Sequence, residues 1–214
     1  IFVYYLFRTV GTVSHPSSNA LEATSGTFTG DLDVTGQISE SGKEYFHVDL
    51  TTAQTGLTDS QSVVVDFGGS GTVKYDTKSN FDSANDAYLL GSSDGVYLIS
   101  YSLGIRTDDL ADVHLIDVAA TVRVATDGST FVPIQGSAAV PRDDDSGEGA
   151  SLTLSGTFIY KSTNTTTKVH LQGFANLLAS DTFEFSHNIN NLQNLATVGG
   201  DTARCTFLTI VRIA

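Results

Sequence analysis

The hydrophobic pattern of this chain is typical of β-strands. Between residues 150 and 161, Leu152, Leu154 and Phe158 alternate with threonine and serine, and residues 181–189 show the same period of two. Successive strand side chains point to opposite faces, so both stretches predict strands with one buried and one wet face. Further strands are predicted at 62–68, 95–106, 116–126, 131–140, 167–176 and 203–213, separated by turn signals such as Asp94-Gly95 and Asp127-Gly128.

Two of these predicted strands lack a polar face. In the stretch 95–106, both alternating sets are apolar: Val96 and Leu98 on one face, and Tyr97, Ile99, Tyr101 and Leu103 on the other. The last stretch, 203–213, is also mostly apolar on both faces. Sandwich sheets normally leave their outer faces wet, so this pattern favours a second face covered by another copy of the chain. The alternative is that both are central strands of a doubly covered sheet.

The chain has 214 residues, and its sequence pattern divides it into two regions. Residues 1–45 read as an extension, with an apolar opening and a short Gly-punctuated unit that occurs at Phe28–Gly30 and again at Val34–Gly36. Such units bury little surface alone, so we expect the extension to intertwine with neighbouring chains and act as an anchor. For the apolar opening, residues 1–7, a remnant of a longer chain is the alternative to a segment that docks on a partner. Residues 46–214 read as one β domain.

Charge and cysteine content narrow the function classes. The formal net charge is −13, and the 11 Lys and Arg residues are scattered. Nucleic acid is therefore excluded as a partner, because phosphate binding needs clustered basic side chains. The apolar opening is shorter than the roughly 20 residues that span a bilayer, so no membrane insertion is expected. The one cysteine, Cys205, lies in an apolar strand and is predicted to be a buried, inert thiol.

Three sequence motifs follow one another in the order found in a known superfamily. Val63–Phe67 is followed by the stretch Gly95–Tyr101 and finally by Cys205–Ile210. Over about residues 60–214, the chain resembles the tumour necrosis factor and complement globular-head superfamily. The resemblance implies an all-β fold, a ten-strand jelly-roll sandwich that forms a homotrimer with aromatic and aliphatic residues on its threefold axis. The residues implied for that trimer interface are Tyr97, Ile99, Tyr101, Leu103, Phe207 and Ile213, although the sequence leaves open which face of each strand is axial.

The upstream segment carries a second resemblance. The stretch Gly30–Ile38 resembles spacers of bacteriophage fibre proteins, which often end in jelly-roll heads. This resemblance implies a phage virion fibre, spike or head-decoration protein located on the capsid, neck or tail surface. Residues 1–45 would then contact other virion proteins, and the head would serve host adhesion or particle stabilisation. A secreted, complement-like or cytokine-like trimeric binding protein is the alternative.

No motif of an enzyme or a cofactor site is found. The densest group of carboxylates is Asp143, Asp144 and Asp145, which offer the hard oxygen ligands that calcium prefers. Their spacing differs from that of the calcium-binding loop, so a solvated acidic loop is favoured. The five histidines show no metal-ligand spacing, and no Gly-x-Ser-x-Gly elbow occurs. We therefore expect a binding protein without catalysis or cofactor. A tailspike-type enzyme that degrades carbohydrate is the less favoured alternative.

The sequence predicts that a loop rich in amide side chains contacts a receptor. Amide side chains both donate and accept hydrogen bonds, as recognition of a host glycan or surface protein requires. The other exposed loops predicted to carry binding are 106–114, 141–149 and 162–167. An ordinary polar loop is the alternative for the amide-rich segment. Its candidate residues are Asn188, Asn190, Asn191, Gln193 and Asn194.

Overall fold

The computed structural model of the protein describes residues 43–107, 115–139, 151–177, 182–187 and 204–214. Within these ranges it contains thirteen strands and one short helix. Their bounds are β1 (Tyr45–Leu50), β2 (Gln54–Thr58), β3 (Ser62–Val64), α1 (Phe67–Ser70), β4 (Gly71–Asp76), β5 (Phe81–Asp82), β6 (Ala87–Leu89), β7 (Val96–Thr107), β8 (Leu115–Ala125), β9 (Val132–Ala139), β10 (Ser151–Lys161), β11 (Lys168–Leu177), β12 (Thr182–Ser186) and β13 (Phe207–Arg212).

The first sheet is built around β7. Along one edge, β7 pairs antiparallel with β10 from Val96 to Arg106. On its other edge, β13 pairs with residues 97–102 of β7 and β12 with residues 104–107. Beyond β13 follow β1 and β4, and beyond β12 lies β2. The strand that the sequence marks as apolar on both faces is therefore the centre of this sheet.

The second sheet is built around the pair β8 and β11, which are in register from Lys168 to Leu177. Strand β9 extends it beyond β8, while β6 and β5 extend it on the side of β11, where β3 also pairs. All pairings in both sheets are antiparallel among the described residues.

The chain crosses repeatedly between the two sheets. It passes from β6 in the second sheet to β7 in the first, returns to β8 and β9, crosses to β10, returns to β11 and ends with β12 and β13. The first and last long strands, β1 and β13, are neighbours. This winding is that of a jelly roll, in which two antiparallel sheets share one core. The predicted all-β jelly-roll sandwich is confirmed.

The core lies between the inner faces of the sheets and is rich in aromatic rings. Phe46 of β1 stacks on Tyr88 of β6 with ring centroids 4.3 Å apart, which joins the two sheets directly. From β7, the whole inward-facing set is buried: Tyr97, Ile99, Tyr101, Leu103 and Ile105. Burial of large apolar side chains is the main stabilising term of such a sandwich.

Glycines in neighbouring strands make room for these rings. Gly156 of β10 lies directly opposite Tyr101, and a Cβ at position 156 would lie 2.7 Å from the Tyr101 hydroxyl. Gly173 of β11 lies beneath Phe185 and Leu103, and an added Cβ would lie 2.7 Å from Leu103 Cδ2. A strand glycine of this kind marks the close approach of a neighbour, here a core side chain from the opposite sheet or the adjacent strand.

The tyrosine hydroxyls of β7 find polar partners inside the sandwich. The Tyr101 hydroxyl donates to Ser137 Oγ of β9 at 3.2 Å, across the two sheets. The Tyr97 hydroxyl donates to Glu44 Oε2 at 3.1 Å. Glu44 is only 3% exposed although it precedes β1. Burial, followed by the nearby Glu44 carboxylate, raises the pKa of Tyr97, so this phenol stays neutral and can donate.

Some local elements differ from the sequence prediction. The stretch 62–68 was predicted as one strand, but β3 ends at Val64 and the chain turns into α1. The Asp66 side chain accepts a hydrogen bond from Gly69 N and caps this turn. Strands β1, β2, β4, β5 and β6 were not predicted from the sequence. The described residues belong to a compact unit that begins at Ser41; the boundary at residues 45/46 stays a prediction.

The close contact at Gly173 yields a stability test. We expect Gly173→Ala to lower the free energy of unfolding by roughly 1–3 kcal/mol, because the added methyl overlaps Phe185 and Leu103 in a core without free space. Urea unfolding at neutral pH measures this change. Gly91→Ala is the matched control, since the new Cβ meets only Asn80 Nδ2, at 3.3 Å. A Gly173→Ala protein as stable as the control would contradict this account of the core.

Candidate functional site

The outer face of the first sheet carries a continuous row of apolar side chains. The cross-strand register places Ile159 of β10 opposite Leu98 of β7, Leu98 opposite Val211 of β13, and Val211 opposite Tyr45 of β1. Ile213 hydrogen-bonds through its backbone to Val96 and extends the row at one end. We call this surface the apolar band, defined as Tyr45, Val96, Leu98, Ile159, Val211 and Ile213.

The apolar band is accessible in the single chain. Ile159 is 65% exposed, Ile213 51% and Tyr45 39%, while Leu98 and Val211 are half-buried by their neighbours. The band crosses four adjacent strands, which is about 15 Å at the usual strand spacing. Scattered exposed apolar residues are ordinary on a protein surface, but a contiguous patch of this kind marks an interaction site.

A polar row adjoins the apolar band on the same face. It runs from Thr157 through Ser100 and Thr209 to His47 and Tyr75. The His47 ring bridges two side chains, with Nδ1 2.6 Å from Thr209 Oγ1 and Nε2 2.9 Å from Asp49 Oδ1. Phe207 lies beside this ring, with centroids 5.8 Å apart.

The side chains of Asp49, His47 and Thr209 follow one another in the order acid, base and hydroxyl, as in a hydrolytic triad. The described structure offers no oxyanion hole beside Thr209. Thr209 lies in the middle of β13, which pairs with β1 on one edge and with β7 on the other. The backbone amides around it are therefore committed to ladder hydrogen bonds and cannot stabilise an oxyanion. The network is best understood as a way to satisfy buried polar atoms, since Asp49 is only 8% exposed.

The single thiol lies at the far end of the same sheet. Cys205 is 5% exposed, and its Sγ lies 3.1 Å from the Ser186 carbonyl oxygen. Burial raises the pKa of the thiol to about 11. A protonated thiol is a poor nucleophile, so the predicted inert character of Cys205 agrees with its surroundings.

The structure corrects the predicted interface at β7. Four of the six residues assigned to it face the inside of the sandwich and are at most 1% exposed in the single chain: Tyr97, Ile99, Tyr101 and Leu103. They fill the core of their own chain, so they cannot supply surface to a contact between intact chains. The set that faces outward is the other one, with Val96 and Leu98. Phe207 and Ile213 do lie on the outer face, and their place in an interface stays a prediction.

The other predicted site residues lie outside the described residues. These are the acidic residues Asp143, Asp144 and Asp145 and the amide residues Asn188, Asn190, Asn191, Gln193 and Asn194. Within the described ranges, no three His, Cys, Asp or Glu side chains come together in a way that could hold a metal ion. Helical structure in those ranges amounts to α1, so they contain no membrane-spanning helix.

The outer face of the second sheet holds a buried histidine. His170 of β11 is 5% exposed and lies opposite Arg123 of β8. The Phe131 ring covers it in a parallel stack with centroids 3.9 Å apart. His170 Nε2 and Arg123 Nε are buried without a hydrogen-bond partner among the described residues. Burial, followed by the Arg123 charge, lowers the pKa of His170 to about 4.

Solved structures with similar strand arrangements carry low identities. The alignment with murine APRIL, solved at pH 8.0, covers 80% of this chain and 99% of the APRIL chain, with a TM-score of 0.48 and 10% sequence identity. The Eiger TNF of S. frugiperda covers 80% of this chain and 92% of its own, with a TM-score of 0.47 and 8% identity. The globular domain of zebrafish complement 1qA covers 80% and 98%, with a TM-score of 0.44 and 11% identity.

No protein-family model matches the chain. No curated protein matches it either. The fold assignment therefore stands on the strand order and the crossings between the sheets, which are those of a jelly roll.

The buried His170 predicts acid sensitivity. Its pKa is about 4 in the folded protein against 6.5 in the unfolded chain, so the unfolded state takes up the proton first as the pH falls. Stability from this group is complete above pH 6.5 and is lost as the pH falls towards 4. The loss amounts to about 3 kcal/mol.

The comparison with His170→Gln isolates this effect. We expect the variant to lose about 2–3 kcal/mol less than the unsubstituted protein between pH 7.5 and 4.5. Urea unfolding at both pH values measures the difference, and the carboxylate contributions cancel because the two proteins share them. Parallel pH dependences of the two proteins would contradict the assignment.

Proposed function

We propose that the protein is a homotrimeric, non-catalytic binding head whose subunits pack through the apolar band. The single observation that carries this proposal is the row of apolar side chains across four neighbouring strands on the outer face of the first sheet. Burying exposed apolar surface contributes about 25 cal/mol per Å². The same patch on three chains can meet around a threefold axis, where cyclic symmetry closes the assembly.

The composition of the band supports association between identical chains. Each chain carries a net charge of −13, so a trimer carries 3 × −13 = −39. The six residues of the band are uncharged, and the adjoining row offers serine and threonine hydroxyls. Like charges are therefore kept away from the contact itself, and the remaining repulsion acts at longer range and is screened by salt. The number three comes from the resemblance of the sequence to trimeric jelly-roll heads.

The N-terminal region completes the proposal. Residues 1–45 would anchor the head to other virion proteins, in line with the fibre-like spacer at Gly30–Ile38. Within the head, Glu44 is buried against Tyr97, and β1 begins at Tyr45, which belongs to the apolar band. In this proposal the chain is a phage fibre, spike or head-decoration protein on the virion surface. A secreted complement-like or cytokine-like binding protein is the second candidate.

The oligomeric state tests the proposed assembly. We expect light scattering of the purified chain to give three times 22.6 kDa, about 68 kDa. Ile159→Glu should dissociate the assembly at micromolar concentration, because it would bury an unpaired charge at the contact. Since Ile159 is 65% exposed in the single chain, the monomer should stay folded.

Val132→Glu is the matched control for this substitution. Val132 is 50% exposed on β9 of the other sheet, away from the apolar band. The control should remain trimeric, with a circular dichroism spectrum equal to that of the unsubstituted protein. A stable monomer of the unsubstituted chain, or dissociation by both substitutions alike, would refute the apolar band as the contact.

The proposed location is tested on the particle. Antibodies against the head should label intact virions in electron microscopy at a fixed capsid, neck or tail position, and the chain should co-purify with them. A chain found only in the medium, with particles unlabelled, would favour the secreted alternative. Release of oligosaccharides from host polysaccharide by the purified chain would instead favour the tailspike-type enzyme.

A further inference from the structure

A shallow groove crosses the outer face of the second sheet, on the side of the sandwich away from the apolar band. Its volume is about 350 Å³, within the range of small-molecule sites. We call it the alanine groove. It is lined by Asp117, Val118, Ala119, Ala138, Ala139 and Phe174.

The strand register explains why a groove forms here. Phe174 of β11, Ala119 of β8 and Ala138 of β9 are direct cross-strand neighbours. One ring therefore stands beside two methyl groups, which leaves a low, apolar floor next to an aromatic wall. Longer polar side chains flank the Phe174–Ala119 pair on the same face. The flanking cross-strand pairs are Asn176 with Asp117 on one side, and Gln172 with Thr121 on the other.

Two amide side chains beside the floor of the groove are oriented by hydrogen bonds to their oxygen atoms, and their NH₂ groups can still donate. Asn176 Oδ1 accepts from Ser60 Oγ at 3.1 Å, and Gln172 Oε1 accepts from Arg123 Nη1 at 3.1 Å. Each bond orients its amide and leaves the NH₂ group as a donor. Arg123 is itself held by the Phe131 carbonyl oxygen, 2.6 Å from Nη2. The exposed Asp117 carboxylate makes no hydrogen bond or ion pair within the described residues.

This combination selects a class of ligand. An aromatic ring and methyl groups pack against the C–H face of a sugar ring, while two amide donors and one carboxylate acceptor match its hydroxyls. None of the described residues that line the groove is cationic, which disfavours an anionic ligand. A multiply charged cation would need more than the one carboxylate of Asp117. We infer that the alanine groove binds a neutral pyranose unit of a glycan.

A sugar site of this kind deepens the binding role proposed for the head, and its biological meaning rests on that proposal. A single small groove binds weakly, and a trimer presents three of them on one particle component, so avidity raises the strength of attachment. The binding at each groove is independent of assembly, because the alanine groove and the apolar band lie on different sheets.

The test uses the full chain and a panel of defined probes. These are the methyl glycosides of glucose, galactose, mannose and N-acetylglucosamine, with N-acetylneuraminic acid and n-butylamine as charged probes. Saturation-transfer NMR identifies the bound probe and calorimetry measures its affinity. We expect saturable binding of at least one neutral glycoside with a millimolar Kd, and weaker binding of both charged probes.

Variants locate the binding site. Ala138→Glu fills the floor of the alanine groove and should abolish binding, while Val132→Glu, on the same strand but outside the groove, should leave it unchanged. Asp117→Asn and Phe174→Leu should each weaken binding about 10-fold or more. Urea unfolding of every variant verifies that the fold is intact.

The outcomes separate this inference from the proposed assembly. Ile159→Glu should lose the trimer yet bind the glycoside with unchanged affinity per chain. Absence of saturable binding for all four neutral glycosides would overturn the inference even in a perfect trimer. Preference for either charged probe, or neutral-sugar binding that survives Ala138→Glu, would also overturn it. A monomeric protein that binds sugar at the groove would refute the assembly alone.

Discussion

The structure depends on the burial of one face of β7 between the two sheets. Tyr97, Ile99, Tyr101 and Leu103 point inward and are almost completely shielded from water. The Tyr101 hydroxyl reaches Ser137 across the sandwich, and its ring lies over Gly156 of the neighbouring strand. Because side chains alternate along a strand, the inward position of these residues forces Val96 and Leu98 outward, where they form the centre of the apolar band. The core and the proposed contact surface are thus two consequences of one constraint.

The two sheets consequently present outer faces of different chemistry. The first combines the apolar band with a row of hydroxyls and the His47 network, which suits a contact between identical chains. The second combines a stacked, buried His170 with a low floor of alanines and oriented amides, which suits a small polar ligand. A jelly roll can use both faces in this way because its core is complete without them.

Two of the buried polar groups have specific hydrogen-bond or ion-pair partners. Glu44 is buried but bonded to Tyr97, and Asp49 is buried but lies beside His47. His170, on the outer face of the second sheet, has no hydrogen-bond partner at Nε2 among the described residues, and burial together with the Arg123 charge keeps it neutral. Groups of this kind add little net stability when satisfied and cost much when charged alone. The lowered pKa of His170 ties the stability of the head to pH.

The sequence by itself determined the strand class, most of the long strands and the jelly-roll resemblance, because a period of two is a local property of the chain. It also showed that 95–106 has two apolar faces. Only the tertiary structure decided which face is inside: both sets are apolar, and the choice depends on whether Tyr101 finds Gly156 beside it and Ser137 across the core. The alanine groove was hidden for the same reason, since Phe174, Ala119 and Ala138 are distant in sequence and meet only through strand register.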